Sequence, residues 1–299
     1  MKRLLSVMSF AAALVLVVAC APHETGTAEA AAVPYGANKE AGATFVHDGV
    51  TLYYETYGRG EPLLLVHGNG GSIGTLAAQI DHFKAKYQVI AMDSRDQGQS
   101  ADSHEPITYE KMTDDLAALI EHLKVGPVDV VGWSDGGVEA LLLGVRHPGK
   151  VKKIVSMAPN LNPGPEAFDP EVSALFKSMT ELSDKARNTP EGRRQHKVVG
   201  MMLKEPNIPP AMLANVTVPT LVLASDHDLV RLEHVVAIYR GLPNAQLAIF
   251  PNRTHLIPFD DPAQFNATID RFLATPFKKI DLVPETMGSY EKLMTGLAR

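Results

Sequence analysis

The chain has 299 residues, of which 45% are hydrophobic, and its 28 lysines and arginines against 34 aspartates and glutamates give a net charge of -6. No basic stripe or polybasic run is present, which argues against a nucleic-acid partner, and the scattered histidines without a cysteine cluster argue against a metal site. Cys20 is the only cysteine, so an intramolecular disulfide is excluded.

The N-terminus has the order of a signal peptide. Lys2 and Arg3 precede an apolar run that ends at Ala19, and residues 1–19 fit a positive region followed by a hydrophobic region. This run of about 16 residues is short for a membrane span. The stretch ending at Cys20 resembles the lipobox of bacterial lipoproteins, which implies a lipidated Cys20 and a membrane-anchored protein of the bacterial cell envelope, on its periplasmic or outer-surface side. The alternative is a plain signal peptide cut near Ala32, which would leave a secreted or periplasmic protein.

Residues 20–44 are predicted to form a flexible tether. Between 21 and 32 no large apolar residue occurs, so this stretch cannot bury a core. The rest of the chain has the length of one domain with an insertion. We assign residues 45–158 and 217–299 to a core and 159–216 to a helical cap.

Strand-like apolar runs alternate with helical patterns along the core. This alternation predicts a parallel sheet covered by helices on both faces, and His47-Asp48-Gly49 predicts a hairpin between the first two strands. The predicted strands lie near 44–48, 51–57, 62–66, 88–92, 127–132, 152–157, 219–224 and 246–250. The predicted core helices lie near 73–84, 108–123, 136–147, 231–241 and 262–273, the second with Thr108 as its N-cap.

A glycine-rich loop follows the third predicted strand. Its sequence is His67-Gly68-Asn69-Gly70-Gly71, and such a backbone leaves N–H groups free to stabilise a developing negative charge. A phosphate-binding loop would need a following Gly-Lys-Ser or Gly-Lys-Thr, which is missing. We therefore predict that the Asn69 N–H is an oxyanion-hole donor and that His67 packs behind the loop.

The pentapeptide Gly132-Trp133-Ser134-Asp135-Gly136 lies between an apolar strand and a helical pattern. Gly-x-Ser-x-Gly at a strand-to-helix turn is the nucleophile elbow of serine hydrolases. Ser134 is therefore the predicted nucleophile, held in a strained turn. The N–H of the next residue, Asp135, is the predicted second oxyanion donor.

Residues 159–216 interrupt the alternation of strands and helices. Prolines mark both ends of the segment, and two helical stretches near 170–179 and 190–203 lie between them. Large apolar side chains of this segment are candidates for a substrate pocket, with the small core of the cap itself as the alternative for each. These candidates are Phe168, Leu175, Phe176, Met179, Met201 and Met202.

Two further groups would activate Ser134, because a neutral hydroxyl is a poor nucleophile. His255 follows the last predicted strand and is the candidate base. The orienting acid should follow the strand near 219–224, where Asp226 and Asp228 compete. We favour Asp228, because the acid comes a few residues into this loop in chains with the same order of elements. After the last core helix, a short helix at 287–297 is expected to pack against the edge of the sheet.

These landmarks occur in the order found in the α/β-hydrolase family, which the chain resembles from about residue 45 to residue 275. The resemblance implies an α/β-hydrolase fold with a mostly parallel eight-stranded sheet, helices on both faces and an inserted helical cap. It also implies catalysis by Ser134, Asp228 and His255. The sequence departs from the family at Asp96 and Thr254, where glycine is common.

The expected function is that of a serine hydrolase acting on a small carboxylic ester, or on a related thioester, lactone or amide, without a cofactor. The same family contains carbon–carbon bond hydrolases, enol-lactonases and cofactor-free haloperoxidases, which stay open as alternatives, and a non-catalytic surface binding protein is another. A dehalogenase is disfavoured, because it carries aspartate at the nucleophile position.

The residue after the nucleophile allows two interpretations. The Gly-Trp-Ser-Asp-Gly-Gly form of the elbow is similar to that of amino-acid ester hydrolases of the valacyclovir hydrolase type. In those enzymes the aspartate helps to bind the substrate ammonium. The alternative is that Asp135 only stabilises the start of its helix, where a negative charge is favourable.

Overall fold

The structure is a computed structural model, and it describes residues 33–297. The predicted signal peptide at 1–19, Cys20 and the first part of the predicted tether lie outside the described residues. Within 33–297, no helix combines the length and the apolarity needed to cross a bilayer.

Eight strands form one sheet in the order β1-β2-β4-β3-β5-β6-β7-β8. The first hairpin and the β2–β4 pair are antiparallel, and all the other pairs are parallel. The predicted mostly parallel, eight-stranded α/β fold with an N-terminal hairpin is confirmed. The strands are β1 (Gly42–His47), β2 (Val50–Tyr57), β3 (Glu61–Val66), β4 (Tyr87–Met92), β5 (Val128–Trp133), β6 (Val151–Met157), β7 (Thr220–His227) and β8 (Ala245–Thr254).

The central strands are apolar without a break because helices cover both faces of the sheet. Leu63 to Val66 in β3, for example, are almost completely buried. The helices are α1 (Ala77–Phe83), α2 (Tyr109–Leu123), α3 (Asp135–Arg146), α4 (Pro170–Lys185), α5 (Pro190–Met201), α6 (Leu232–Gly241), α7 (Ile257–Asp260), α8 (Pro262–Ala274) and α9 (Leu282–Leu297). The predicted N-cap of α2 is present, since the Thr108 hydroxyl accepts from the Lys111 N–H at 3.2 Å.

The end of the predicted tether is part of the folded domain. The buried Glu55 carboxylate accepts hydrogen bonds from the N–H groups of Gly36 at 2.8 Å and Asn38 at 2.9 Å, and from the Tyr53 hydroxyl at 2.7 Å. The predicted boundary at 44 and 45 is therefore too late in the chain. The segment around Gly36 and Asn38 is polar in composition, which led to the prediction of a tether. Its backbone N–H groups are ordered by the carboxylate of Glu55 on β2, and composition alone does not reveal such a partner.

The segment between β6 and β7 contains α4 and α5. Helix α5 is attached to the loop after β4 by Lys197, whose ammonium contacts the carboxylates of Asp96 and Asp102, the latter at 2.8 Å. Arg194 adds a hydrogen bond to the carbonyl of Ser100 at 3.2 Å. Asp96 has a φ of 66°, in the left-handed region that favours glycine, and its carboxylate contacts Lys197 of the cap.

Helix α9 does not pack against the edge of the sheet, contrary to the expectation from sequence. Val283, Met287 and Tyr290 are 67%, 54% and 58% exposed. The core beneath this end of the sheet is already closed by α8, whose Phe265 and Ile269 are almost completely buried. The apolar side chains of α9 are therefore left facing outward.

Glu139 lies on α3, one helical turn after Asp135, and its side chain is completely buried. Neither of its carboxyl oxygens has a hydrogen-bond partner among the described residues. Burial, together with the carboxylates of Asp135 and Asp115, raises the pKa of Glu139 well above its ordinary value of 4.5. The folded protein therefore keeps a proton on Glu139 at pH values where the unfolded chain has lost it.

Replacing Glu139 by methionine, which has a similar volume, should stabilise the fold. We expect an increase of about 1–3 kcal/mol in the free energy of unfolding at pH 8, because a buried polar group without a partner is removed. The gain should shrink towards pH 5, since the wild-type penalty develops only as the pH rises above the unfolded pKa. Urea unfolding at pH 8 and at pH 5 measures the change in the free energy of unfolding. The control is Glu121→Met, which replaces an exposed glutamate. A gain that is as large at pH 5 as at pH 8 would contradict the explanation.

Candidate active site

The chain turns sharply between β5 and α3, with Ser134 at the turn. Ser134 has φ 58° and ψ -119°, a conformation that is strained for a residue with a side chain. A Cβ on Gly132 would clash with the carbonyl of Gly136, and a Cβ on Gly136 would clash with the carbonyl of Val66. Glycines at both positions therefore allow the close packing that projects the Ser134 hydroxyl from the end of the sheet.

The structure brings Ser134, His255 and Asp228 into one hydrogen-bonded row. The Ser134 Oγ lies 3.0 Å from His255 Nε2, and His255 Nδ1 lies 2.6 Å from Asp228 Oδ1. A proton on Nδ1 that is donated to the carboxylate leaves Nε2 free to accept the serine proton. This arrangement has the geometry of a nucleophile, a base and an orienting acid.

Asp228 is held in place by its own loop after β7. Its side chain is completely buried, and it accepts hydrogen bonds from the N–H groups of Ser225 at 3.0 Å and Leu229 at 2.8 Å. Asp226, the competing candidate, instead accepts from the N–H groups of Asn252 at 2.8 Å and Arg253 at 3.1 Å. It shapes the end of β8 and does not contact the imidazole.

His255 is fixed from the elbow side by Trp133, a contact that the sequence did not indicate. The indole Nε1–H donates to the carbonyl of His255 at 2.9 Å, and the two ring centroids are 5.3 Å apart. Trp133 is the only tryptophan of the chain and lies inside the elbow motif. These two facts were the signals from which a role in the site could have been inferred. Its partner, however, is 122 residues away along the chain.

The two predicted oxyanion donors are on adjacent segments near Ser134. Asn69 and Asp135 both line the cavity that contains the Ser134 hydroxyl. Neither backbone N–H donates a hydrogen bond to any residue that the structure describes. Both groups are therefore free for a ligand oxygen.

His67 lies behind the oxyanion loop, as expected. Its Nε2 accepts from the Ser94 N–H at 3.1 Å, which places the ring proton on Nδ1, where it is donated to the carbonyl of Gly68 at 2.8 Å. Burial lowers the pKa of His67, in keeping with a neutral ring. This histidine links the loops after β3 and β4.

The Asp135 carboxylate is buried beside the nucleophile. Its two oxygens accept from the Tyr109 hydroxyl at 2.7 Å and from the Asn69 Nδ2 at 2.8 Å. Burial raises the pKa of Asp135, and these two donors oppose that rise. Both oxygens thus accept from side chains outside helix α3, so a purely capping role does not describe this carboxylate, and Tyr109 is a site residue that the sequence did not indicate.

A cavity of about 170 Å³ opens onto the Ser134 hydroxyl beneath the cap. Of the predicted pocket side chains, five line it: Phe168, Leu175, Phe176, Met179 and Met202. Met201 does not, because adjacent residues on a helix point about 100° apart. It lines a separate cleft of about 630 Å³ between α5 and residues 102–108, which contains none of Ser134, Asp228 and His255.

The polar part of the active-site cavity is acidic. Asp135 and Glu205 are among its lining residues, whereas lysine and arginine are not. Glu205 follows α5, accepts from the Tyr109 N–H at 3.2 Å and has a pKa raised by burial. Within the described part of the chain, no group of three or more histidine, cysteine, aspartate or glutamate side chains is arranged to hold a metal ion.

A serine–histidine–aspartate row at a nucleophile elbow, on a mostly parallel sheet, defines the serine hydrolases of the α/β-hydrolase fold. The family model for the alpha/beta hydrolase fold matches residues 61–195. The chain is 26% identical over 246 residues to serine hydrolase BPHL of Mus musculus, covering 76% of this chain and 84% of that protein.

Two solved structures show the same fold. An alpha/beta hydrolase enzyme, MGS-M2, from a Medee basin deep-sea metagenome library has a TM-score of 0.71 at 20% identity and covers 80% of this chain and 100% of its own. The enol-lactonase from Burkholderia xenovorans LB400 has a TM-score of 0.65 at 19% identity and covers 78% of this chain and 100% of its own. The chain is an α/β hydrolase of the serine hydrolase type.

The two neighbouring aspartates allow a matched test of the orienting acid. Asp228→Asn should lower the rate at which a fluorophosphonate probe labels the protein by about 10³–10⁴-fold, because the amide favours the wrong imidazole tautomer. Asp226→Asn should stay within about 3-fold of wild type, since its hydrogen bonds come from the backbone N–H groups of Asn252 and Arg253 and not from His255. The labelling rates of the two variants show which aspartate orients His255, and their melting temperatures check that both variants fold. A larger loss in Asp226→Asn would reverse the assignment.

Proposed function

We propose that the protein hydrolyses a small carboxylic ester through an acyl-enzyme on Ser134. The observation that carries this proposal is the row of contacts from Ser134 Oγ to His255 Nε2 at 3.0 Å and from His255 Nδ1 to Asp228 at 2.6 Å. Nucleophile, base and orienting acid at these distances are suited to acyl transfer.

In the first half of the reaction, His255 Nε2 takes the hydroxyl proton while Ser134 Oγ bonds to the carbonyl carbon of the ester. The N–H groups of Asn69 and Asp135 hold the resulting oxyanion. The tetrahedral species collapses, the carbon–oxygen bond to the alcohol breaks, and the leaving oxygen takes the proton from His255.

In the second half, His255 removes a proton from a water molecule that attacks the acyl carbon. The second tetrahedral species collapses, the bond between the acyl carbon and Ser134 Oγ breaks, and Ser134 Oγ takes the proton from His255. The acid product leaves and the resting site is restored. No step requires a cofactor. Asp228 keeps the imidazole oriented and stabilises its protonated form throughout.

The cavity supports a small substrate. Its volume of about 170 Å³ lies below the roughly 300–1,000 Å³ of pockets for drug-sized ligands. Phenylalanine, leucine and methionine side chains surround the nucleophile, and they favour a short apolar acyl group. The flexible methionines Met179 and Met202 allow some variation in its shape.

A panel of aryl esters graded in acyl length tests the proposal. We expect kcat/KM to be highest for short acyl chains and to fall once the acyl group exceeds the cavity. Ser134→Ala should lose about 10⁴–10⁶-fold in kcat and all fluorophosphonate labelling, because the nucleophile is removed. Ser178→Ala, an exposed serine on the cap, is the control. Full ester hydrolysis by Ser134→Ala would refute the mechanism.

Esters that carry an ammonium group are a second candidate, favoured by the charge of the cavity. Asp135 and Glu205 supply two carboxylates, and no lysine or arginine lines the cavity. Burial raises the pKa of both groups, and a substrate cation would offset the cost of keeping them ionised. The form of the elbow, similar to that of amino-acid ester hydrolases, agrees with this candidate.

Paired α-amino and des-amino esters distinguish the two candidates. If the cavity selects a cation, wild type should prefer the α-amino ester by about 10-fold or more, and this preference should shrink in Asp135→Ala and in Glu205→Gln. Equal preference in the wild type and in both variants would remove this candidate while leaving simple ester hydrolysis intact.

Lactones added to the same panel of esters test whether the protein catalyses one of the related reactions of this fold. Enol-lactonases, carbon–carbon bond hydrolases and cofactor-free haloperoxidases share this triad, so the substrate and not the triad separates them. One structural neighbour is an enol-lactonase. Faster turnover of lactones than of open esters of equal size would favour that chemistry over the carboxylic ester.

For the location, we propose that the enzyme is anchored to the membrane through a lipid on Cys20. The support is the sequence alone: a positive start, an apolar run and a lipobox-like end at the only cysteine. Metabolic labelling with a fatty acid should mark the wild type and not Cys20→Ser. Equal labelling, or none in either protein, would leave the secreted form as the alternative.

A further inference from the structure

We infer that the side chain of Asn69 is a positioning group that makes the oxyanion hole depend on the seated cap. This inference rests on the proposed function, in which the backbone N–H of Asn69 holds the oxyanion. Both hydrogens of the Asn69 amide are used: one is donated to Asp135 Oδ2 at 2.8 Å, the other to the carbonyl of Val198 at 3.0 Å. Val198 belongs to cap helix α5.

The carbonyl of Val198 is well placed to accept this bond. Val198 lies in the last turn of α5. The negative end of the helix dipole lies at the same end. The cap thus presents a carbonyl acceptor to the oxyanion loop, and the Asn69 amide donates to it.

Asp135 connects the two oxyanion donors to each other. Its N–H is one donor, and its carboxylate binds the side chain of Asn69, which carries the other. The second carboxylate oxygen is fixed by the Tyr109 hydroxyl at 2.7 Å. Gly70 and Gly71, which follow Asn69, have no side chains, so within residues 69–71 only Asn69 can bind Asp135 and the cap through its side chain.

The neighbouring residue on α5 controls where the cap sits. Lys197 binds Asp96 and Asp102 on the loop after β4, and the next residue, Val198, receives the Asn69 amide. A shift of α5 away from this loop would therefore withdraw the acceptor from Asn69. The oxyanion hole is fully ordered only when the cap is in place, so hydrolysis is coupled to closure over the substrate.

Asn69→Ala tests the positioning role, because it keeps the backbone N–H and removes the side-chain bonds. On a short aryl ester we expect kcat to fall about 10–50-fold, less than the 10²–10³-fold loss for removal of an oxyanion donor itself. KM should stay within about 3-fold, since the loss arises in the transition state. Wild-type kcat in Asn69→Ala, or a loss confined to KM, would overturn the inference.

A double-mutant cycle tests the coupling to the cap. Lys197→Met should lower kcat about 10-fold in the wild type but at most about 2-fold when Asn69 is already alanine, because both changes act on the same link. Lys204→Met is the matched control: it removes a lysine just after α5 that makes no ion pair with any residue of 33–297, and it should leave kcat unchanged. Equal factors for Lys197→Met in both backgrounds would overturn the coupling.

If Lys197→Met does not fold, as judged by its melting curve, Asp102→Asn weakens the same attachment and replaces it in the cycle. Fluorophosphonate labelling of each protein separates the inference from the proposed function. A wild type that is neither labelled nor active on esters refutes the proposed function. An active, labelled wild type with additive effects of the two changes refutes only the coupling of Asn69 to the cap.

Discussion

The reversal of the chain at Ser134 is the constraint around which the site is built. It requires α3 to approach β5 and the end of β3 so closely that only glycine fits at 132 and 136, and it holds Ser134 at a φ of 58°. This strain is balanced by the burial of the strands and of α3. This one turn fixes the Ser134 hydroxyl, the N–H of Asp135 and the indole of Trp133. Because the indole donates to the carbonyl of His255, the turn also fixes the position of His255.

The three buried carboxylates near this turn have different hydrogen-bond partners, and these partners explain their different roles. Asp228 accepts hydrogen bonds from two backbone N–H groups and from the imidazole, which hold it in the orientation that His255 requires. Asp135 receives a phenol and an amide side chain, which connect the core, the oxyanion loop and, through Asn69, the cap. Glu139 has no hydrogen-bond partner among the residues described, and it lies outside the catalytic row.

The sequence predicted well whatever depends on local patterns. Apolar runs located all eight strands because a parallel sheet buries both of its faces, and each of Ser134, Asp228 and His255 directly follows a strand, where loops converge at one edge. The predictions failed where partners are distant. The segment around Gly36 and Asn38 folds because Glu55 binds it, α9 stays exposed because α8 already closes the core, and Met201 faces a different cleft from Met202.

The sequence by itself determined the fold class, the nucleophile elbow and the order of the catalytic groups, because these follow from periodicity and from residues adjacent along the chain. The sequence favoured Asp228 over Asp226, but only the tertiary structure showed its contact with His255, placed Tyr109 and Trp133 in the site and connected Asn69 to Val198. The physical reason is that a hydrogen bond depends on distance and direction to within a few tenths of an ångström. Those quantities are set by the packing of elements up to 129 residues apart.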